Sequence, residues 1–236
     1  MHWVVVGGQS RSVGKTAAVC GLIAALNDRR WTAVTITQFG HGICSRSGHA
    51  CDCACEDGDW TLSAERNSAG RKDTARFLRA GARRVWWLRT RMGALAQALP
   101  ALEEALAAEA AAEPSGAEWV ICESNSLVAL RRPDLYLTLL DPAIADFKDS
   151  ARALLPRADA RLMVGAGSGA GAISPAAAES LGPAANAASG GAGAGNGIPA
   201  FAVAPTTYLS PAVIAFARSR LAASSGRRDP HRLPPR

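Results

Sequence analysis

The residues best equipped for chemistry run without a gap from Gly7 to Thr16, as Gly7-Gly8-Gln9-Ser10-Arg11-Ser12-Val13-Gly14-Lys15-Thr16. A glycine loop that opens a helix can turn successive backbone N–H groups toward an anion, and the helix adds its positive end. A lysine after the second glycine reaches the β- and γ-phosphates, and a hydroxyl next to it is a ligand for Mg²⁺. The stretch therefore reads as a phosphate-binding loop. Gly8, Ser12, Val13, Gly14, Lys15, Thr16 and Ala17 would contact ATP or GTP, Thr16 would hold Mg²⁺, and Lys15 would also stabilise the transferred phosphate. Gly8 and Gly14 enclose five residues, Gln9 to Val13. The usual spacing has four, and Gln9 stands where the first glycine ordinarily does.

Two further groups of residues could act. His41, Cys44, His49, Cys51, Cys53 and Cys55 put four cysteines and two histidines within fifteen residues. Thiolates and imidazoles at that density can satisfy tetrahedral Zn²⁺ or another soft metal. The C-x-C-x-C alternation is not the C-x-x-C knuckle of common zinc modules, so a cysteine-rich or redox-sensitive surface loop that binds nothing stays open. Glu123 ends an apolar run, Trp119-Val120-Ile121-Cys122. A carboxylate there can hold Mg²⁺ or orient a nucleophile, or simply face water. Asp141 ends another such run, and Lys148 lies just beyond it, where it could touch a base or phosphate but reads more simply as solvated.

Two resemblances follow from these residues. G-x-x-x-x-V-G-K-T at Gly8–Thr16 resembles the loop of the dethiobiotin synthetase group, which is likewise one residue longer and has Val before Gly-Lys-Thr. Gly70 to Ala82 reads G-x-K-D-T-x-R-x-x-x-A-G-A. It is similar to the G-K-D-S-x-R-x-x-x-A-G-A signature of the molybdopterin-guanine dinucleotide biosynthesis adaptor, protein B of that pathway. In that adaptor a K-H-x-x-H element follows the second strand; here Thr37 to His41 keeps only the last histidine. Both families carry Glu-Gly where this chain has Glu123-Ser124. The resemblance implies a divergent P-loop NTPase that dimerises and closes its nucleotide site across the interface.

The elements needed to position these groups are legible as alternating strands and helices. Val4-Val5-Val6 reads as a buried parallel strand and Ala17 to Leu26 as a helix on a sheet. Further strands are expected at residues 31–37, 84–89, 117–123, 133–141, 160–165 and 198–203, with Trp86 and Trp87 on opposite faces of the third. Helices are expected at 73–80, capped by Asp73 or Thr74 and stopped by Gly81, and at 93–112, kinked or split by Pro100. Two more are expected from 146 to about 155 and from 210 to 221. The expected fold is α/β, a three-layer P-loop NTPase architecture with a mostly parallel central sheet. One domain spans 1–223, with a Cys/His-rich loop at 40–57, a Gly/Ala-rich low-complexity insertion at 165–197 and a disordered tail at 224–236.

Composition narrows the classes. The 236 residues are 48% hydrophobic and carry a net charge of +6. The arginines are scattered, with no aromatic-interleaved patch, so the charge reads as solubility and phosphate attraction rather than nucleic-acid binding. No apolar run is long enough to span a membrane. With a strand and the glycine loop beginning at residue 3, no signal peptide is expected and the location reads as cytoplasmic, with the cysteines as thiols or metal ligands.

Three functions fit these readings. The first is a Mg²⁺-dependent nucleotide-binding accessory protein with slow NTPase activity, linked to metal-cofactor assembly, with a partner protein of that assembly and a homodimeric state. Lys15 and Glu123 would be its catalytic residues. The second is an ATP-dependent ligase or kinase acting on a small carboxylate or carbamate, although the lysine-proline element of dethiobiotin synthetase is missing. The third is a non-catalytic nucleotide-binding module with a structural metal loop. No N-K-x-D motif selects between ATP and GTP.

Overall fold

The computed structural model describes residues 1–40, 58–112, 119–165 and 197–225. They build one eight-stranded sheet in the order β3-β4-β2-β5-β1-β6-β7-β8. The strands are β1 His2–Gly8, β2 Trp31–Phe39, β3 Trp60–Glu65, β4 Arg84–Arg91, β5 Trp119–Glu123, β6 Leu135–Leu140, β7 Ala160–Val164 and β8 Ala200–Val203. All neighbours run parallel except β3, which is antiparallel to β4. The helices are α1 Lys15–Ala25, α2 Asp73–Arg79, α3 Leu95–Ala112, α4 Leu127–Leu130, α5 Asp149–Leu154 and α6 Pro211–Ser225, with a 3-10 turn at Leu155–Arg157.

Helices cover both faces, because the central strands are apolar on both sides. Val4 and Val6 of β1 join Ala18, Val19, Leu22 and Ile23 of α1 and Val213, Ala217 and Leu221 of α6 in one core. Trp3 and Val5 of the same strand join Leu95, Ala98, Leu102 and Leu106 of α3 in the other. Successive residues of β1 thus feed opposite cores, as the two-residue period of a strand requires. The result is a mostly parallel α/β sheet between two helical layers. Among the described residues no helix is long and apolar enough to cross a membrane.

Several sequence expectations need correction. The β3 strand was not anticipated. Its residues alternate weakly, since only Leu62 packs into the α3 core while Trp60 is 39% exposed. Pro100 does not split α3. The apolar stripe Leu95, Ala98, Leu102 and Leu106 passes on both sides of the proline and binds the helix to the sheet as one piece. Neither Asp73 nor Thr74 caps α2: the N-cap is Lys72, without a side-chain cap, and Thr74 instead donates its hydroxyl to Glu65 Oε2 at 2.9 Å. Gly81 does follow the helix, at φ +107°, the left-handed stop that glycine favours. The helix expected from residue 146 starts at Asp149. The last helix continues to Ser225 rather than ending at 221, because Ser224 extends the buried 213, 217, 221 stripe and is itself 7% exposed.

Candidate functional site

The parallel register brings several chain segments to one edge of the sheet. Val6 of β1 stands beside Glu123 of β5, and Gly8 of β1 beside Leu139 of β6. In open parallel sheets the carboxyl ends of the strands are where ligands bind. The loop from Gly8 to Gly14 leaves β1 at this edge and enters α1 at Lys15.

Gly14 sits at φ +99°, a backbone conformation that side chains rarely adopt. It is also the N-cap of α1 and supplies no side-chain cap to the first N–H groups of the helix. Lys15 Nζ donates to the carbonyls of Ser10, at 2.7 Å, and Arg11, at 3.0 Å, which holds the ammonium over the loop. Thr16 Oγ1 donates to Glu123 Oε2 at 2.9 Å, joining residues 107 positions apart. Val13 is buried and anchors the loop, Ala17 lies in the first turn of α1, and Ser12 is exposed.

Electrostatics couple this group. Burial pushes the Lys15 ammonium below its ordinary pKa, and Glu123 opposes that shift. Burial likewise pushes the Glu123 carboxyl up, while Lys15 and the Thr16 hydroxyl pull it back. Desolvation is the larger effect on both groups, as expected where charged groups leave water. Asp73 and Arg76 of α2 also act on Glu123, so the helix from the second resemblance stands near the same edge. Arg76 pairs with Asp73 at 3.2 Å, and Arg79 bonds the carbonyls of Ser68 and Gly70, bracing the loop before α2.

Two residues the sequence reading passed over organise the loop. Asn125 grips Gly8 from both sides, accepting from its N–H at 2.8 Å and donating to its carbonyl at 2.8 Å. A Cβ at Gly7 would lie 2.3 Å from Asn125 Oδ1, so the glycine at this position is what lets Asn125 approach. Gln9, 4% exposed, ties the loop to the connection after β6. Its Nε2 donates to the carbonyls of Asp141, at 3.0 Å, and Ile144, at 2.8 Å, and its Oε1 accepts from Asp141 N–H at 2.8 Å. The amide thus replaces the missing first glycine with a cross-link, and the Gln in a glycine's place was the signal. Asp141 itself spends a carboxylate oxygen on Ala143 N–H, closing a turn.

Thr16 and Glu123 fit a hard cation by type, a hydroxyl and a carboxylate in contact beside the loop, and would be the residues to hold one. Among the described residues no group of three or more His, Cys, Asp or Glu could hold a metal. His41, Cys44, His49, Cys51, Cys53 and Cys55 lie outside the described residues. Cys122 is buried and Cys20 partly so, and burial raises both thiols. No protein-family model matches the chain, and no curated protein matches it either.

Proposed function

We propose that this chain is a P-loop protein that binds a nucleoside triphosphate with Mg²⁺ and hydrolyses it slowly, as an accessory to metal-cofactor assembly. The observation that carries the nucleotide reading is the Thr16–Glu123 contact at 2.9 Å beside a helix that opens on Gly14-Lys15. In this reading the Lys15 ammonium, the helix N–H groups and the Thr16–Glu123 oxygens gather beside one glycine loop. Thr16 and Glu123 would hold the metal, which would supply positive charge to the phosphates. Lys15 leaves the Ser10 and Arg11 carbonyls for the phosphates, where its charge counts most in a desolvated site. Glu123, ringed by protein at the strand tip, orients the attacking water. The accessory role, the partner protein and the homodimer rest on the resemblance of Gly70–Ala82 and on the ligand chemistry of the Cys/His loop.

Calorimetry with Mg²⁺ and ATP or GTP tests the nucleotide reading. Wild-type protein binds one or both, and Lys15→Ala weakens binding by about tenfold to a hundredfold, the worth of a charged hydrogen bond of roughly 1.5–3 kcal/mol. Wild-type protein that takes up neither nucleotide at millimolar concentration sinks it.

A further inference from the structure

The connection from β6 to α5, residues 141–148, is sewn to the glycine loop along its length. Gln9 holds Asp141 and Ile144 through its side chain, and the Gln9 carbonyl accepts from the Lys148 N–H at 3.0 Å. Lys148 is thereby delivered to the rim of the loop by a backbone bond that does not depend on its side chain. Lys148 is half-buried there. Burial is the first cause lowering its pKa and Arg11 the second, with Asp146 opposing them. The same ammonium and Arg11 both act on Lys15. Lys15, Arg11 and Lys148 therefore bring positive charge from two segments to one loop, where Glu123 and Asp146 offset part of it.

The placement is asymmetric. Glu123 ends β5 on one side of β1, whereas the Lys148 connection follows β6 on the other. A phosphate chain on the loop thus meets a metal-holding carboxylate from one flank and an extra ammonium from the opposite flank. Lys15 is shared between the β- and γ-phosphates, and the terminal one carries the most charge, so a second ammonium matters most there.

We propose that Lys148 binds the terminal phosphate and makes the site select a nucleoside triphosphate over the diphosphate. The proposal rests on the nucleotide reading above and assigns the residue that discriminates within it. Lys148→Ala keeps the backbone N–H that bonds Gln9, so the connection stays in place while the ammonium is lost.

The test is titration of wild type, Lys148→Ala and Lys148→Arg with ATP, ADP, GTP and GDP in Mg²⁺. Lys148→Ala is expected to raise the Kd of the triphosphate about tenfold, equal to ~1.4 kcal/mol. It leaves the diphosphate unchanged, and Lys148→Arg restores most of the difference. Equal weakening of both nucleotides would mean a structural role and overturns the proposal. So does an unchanged Lys148→Ala variant on a wild type that binds both nucleotides. Wild-type protein that binds no nucleotide overturns both this proposal and the reading beneath it.

Discussion

At Glu123, desolvation and hydrogen bonding pull in opposite directions, and the outcome is a pH dependence that can be measured. Burial, the largest influence, holds its carboxyl above the ordinary value of 4.5, against Lys15 and the Thr16 hydroxyl. A carboxyl that keeps its proton more tightly in the folded chain favours folding at low pH. As pH rises from 4.5 toward the folded pKa, the unfolded chain gives up its proton first, and that contribution to stability is lost. Glu123→Gln retains an acceptor for the Thr16 hydroxyl but does not titrate. The stability of wild type relative to this variant is therefore expected to decline as pH rises above 4.5, read from urea denaturation at stepped pH. A difference that stays flat or grows with pH would show that Lys15 outweighs burial at this carboxyl.

At the scale of elements, α1 is fitted under the connection between β8 and α6. A Cβ on Gly14 would meet the Tyr208 ring at 2.0 Å, and one on Gly21 would meet Leu209 Cδ1 at 2.6 Å. Tyr208 is held there at φ +54° by its N–H bond to the Ala204 carbonyl at 2.8 Å. Gly14→Ala thus suffers twice, from the ring and from its own left-handed backbone, the latter costing about 1–2 kcal/mol. In a Tyr208→Ala background the steric part disappears and the backbone part remains. A double-mutant cycle by denaturation is expected to show Gly14→Ala costing less in that background, with a coupling of roughly 0.5–3 kcal/mol. Equal cost in both backgrounds defeats this account of the contact.

That contact also marks how far the sequence could be read. Val4-Val5-Val6, the glycine loop and the apolar helix after it are local signals, and β1 and α1 lie where their residues place them. The β3 strand was not legible, because its pairing to β4 is antiparallel and only one of its side chains reaches a core. The capping expectation for α2 failed because Thr74 found a distant partner in Glu65, which local propensity does not see. Lys15, Thr16 and Glu123 could be named from residue type and position. Gln9 stood out by type but its role did not, and Asn125 gave no signal at all, since both bond backbone atoms more than a hundred residues away. The departure from Glu-Gly after Glu123, a weakness when read as a motif, is the place where Asn125 enters to hold Gly8.

Over the whole molecule, the site and the stability of the fold are separable. Leu102 lies in the α3 core, fully buried, on the face of the sheet opposite α1 and α6. Leu102→Ala leaves a cavity there and is expected to cost about 2–5 kcal/mol. Because β1 feeds both cores, the loss is felt by the sheet as one cooperative unit, so circular dichroism and tryptophan fluorescence should report the same lowered midpoint. Asn125 and Gln9 hold the glycine loop by hydrogen bonds of their own, so under the proposed reading nucleotide Kd should be unchanged below the unfolding range. Nucleotide at a hundred times its Kd then returns about 2.7 kcal/mol to both wild type and Leu102→Ala, by mass action on the folded state. Lys15→Ala shows the complementary behaviour, with nucleotide-dependent stabilisation reduced to about 0.4–1.4 kcal/mol at the same concentration. If Leu102→Ala instead lost affinity as severely as Lys15→Ala, the glycine loop would depend on the far core, and the local clamps described here would not suffice to hold it.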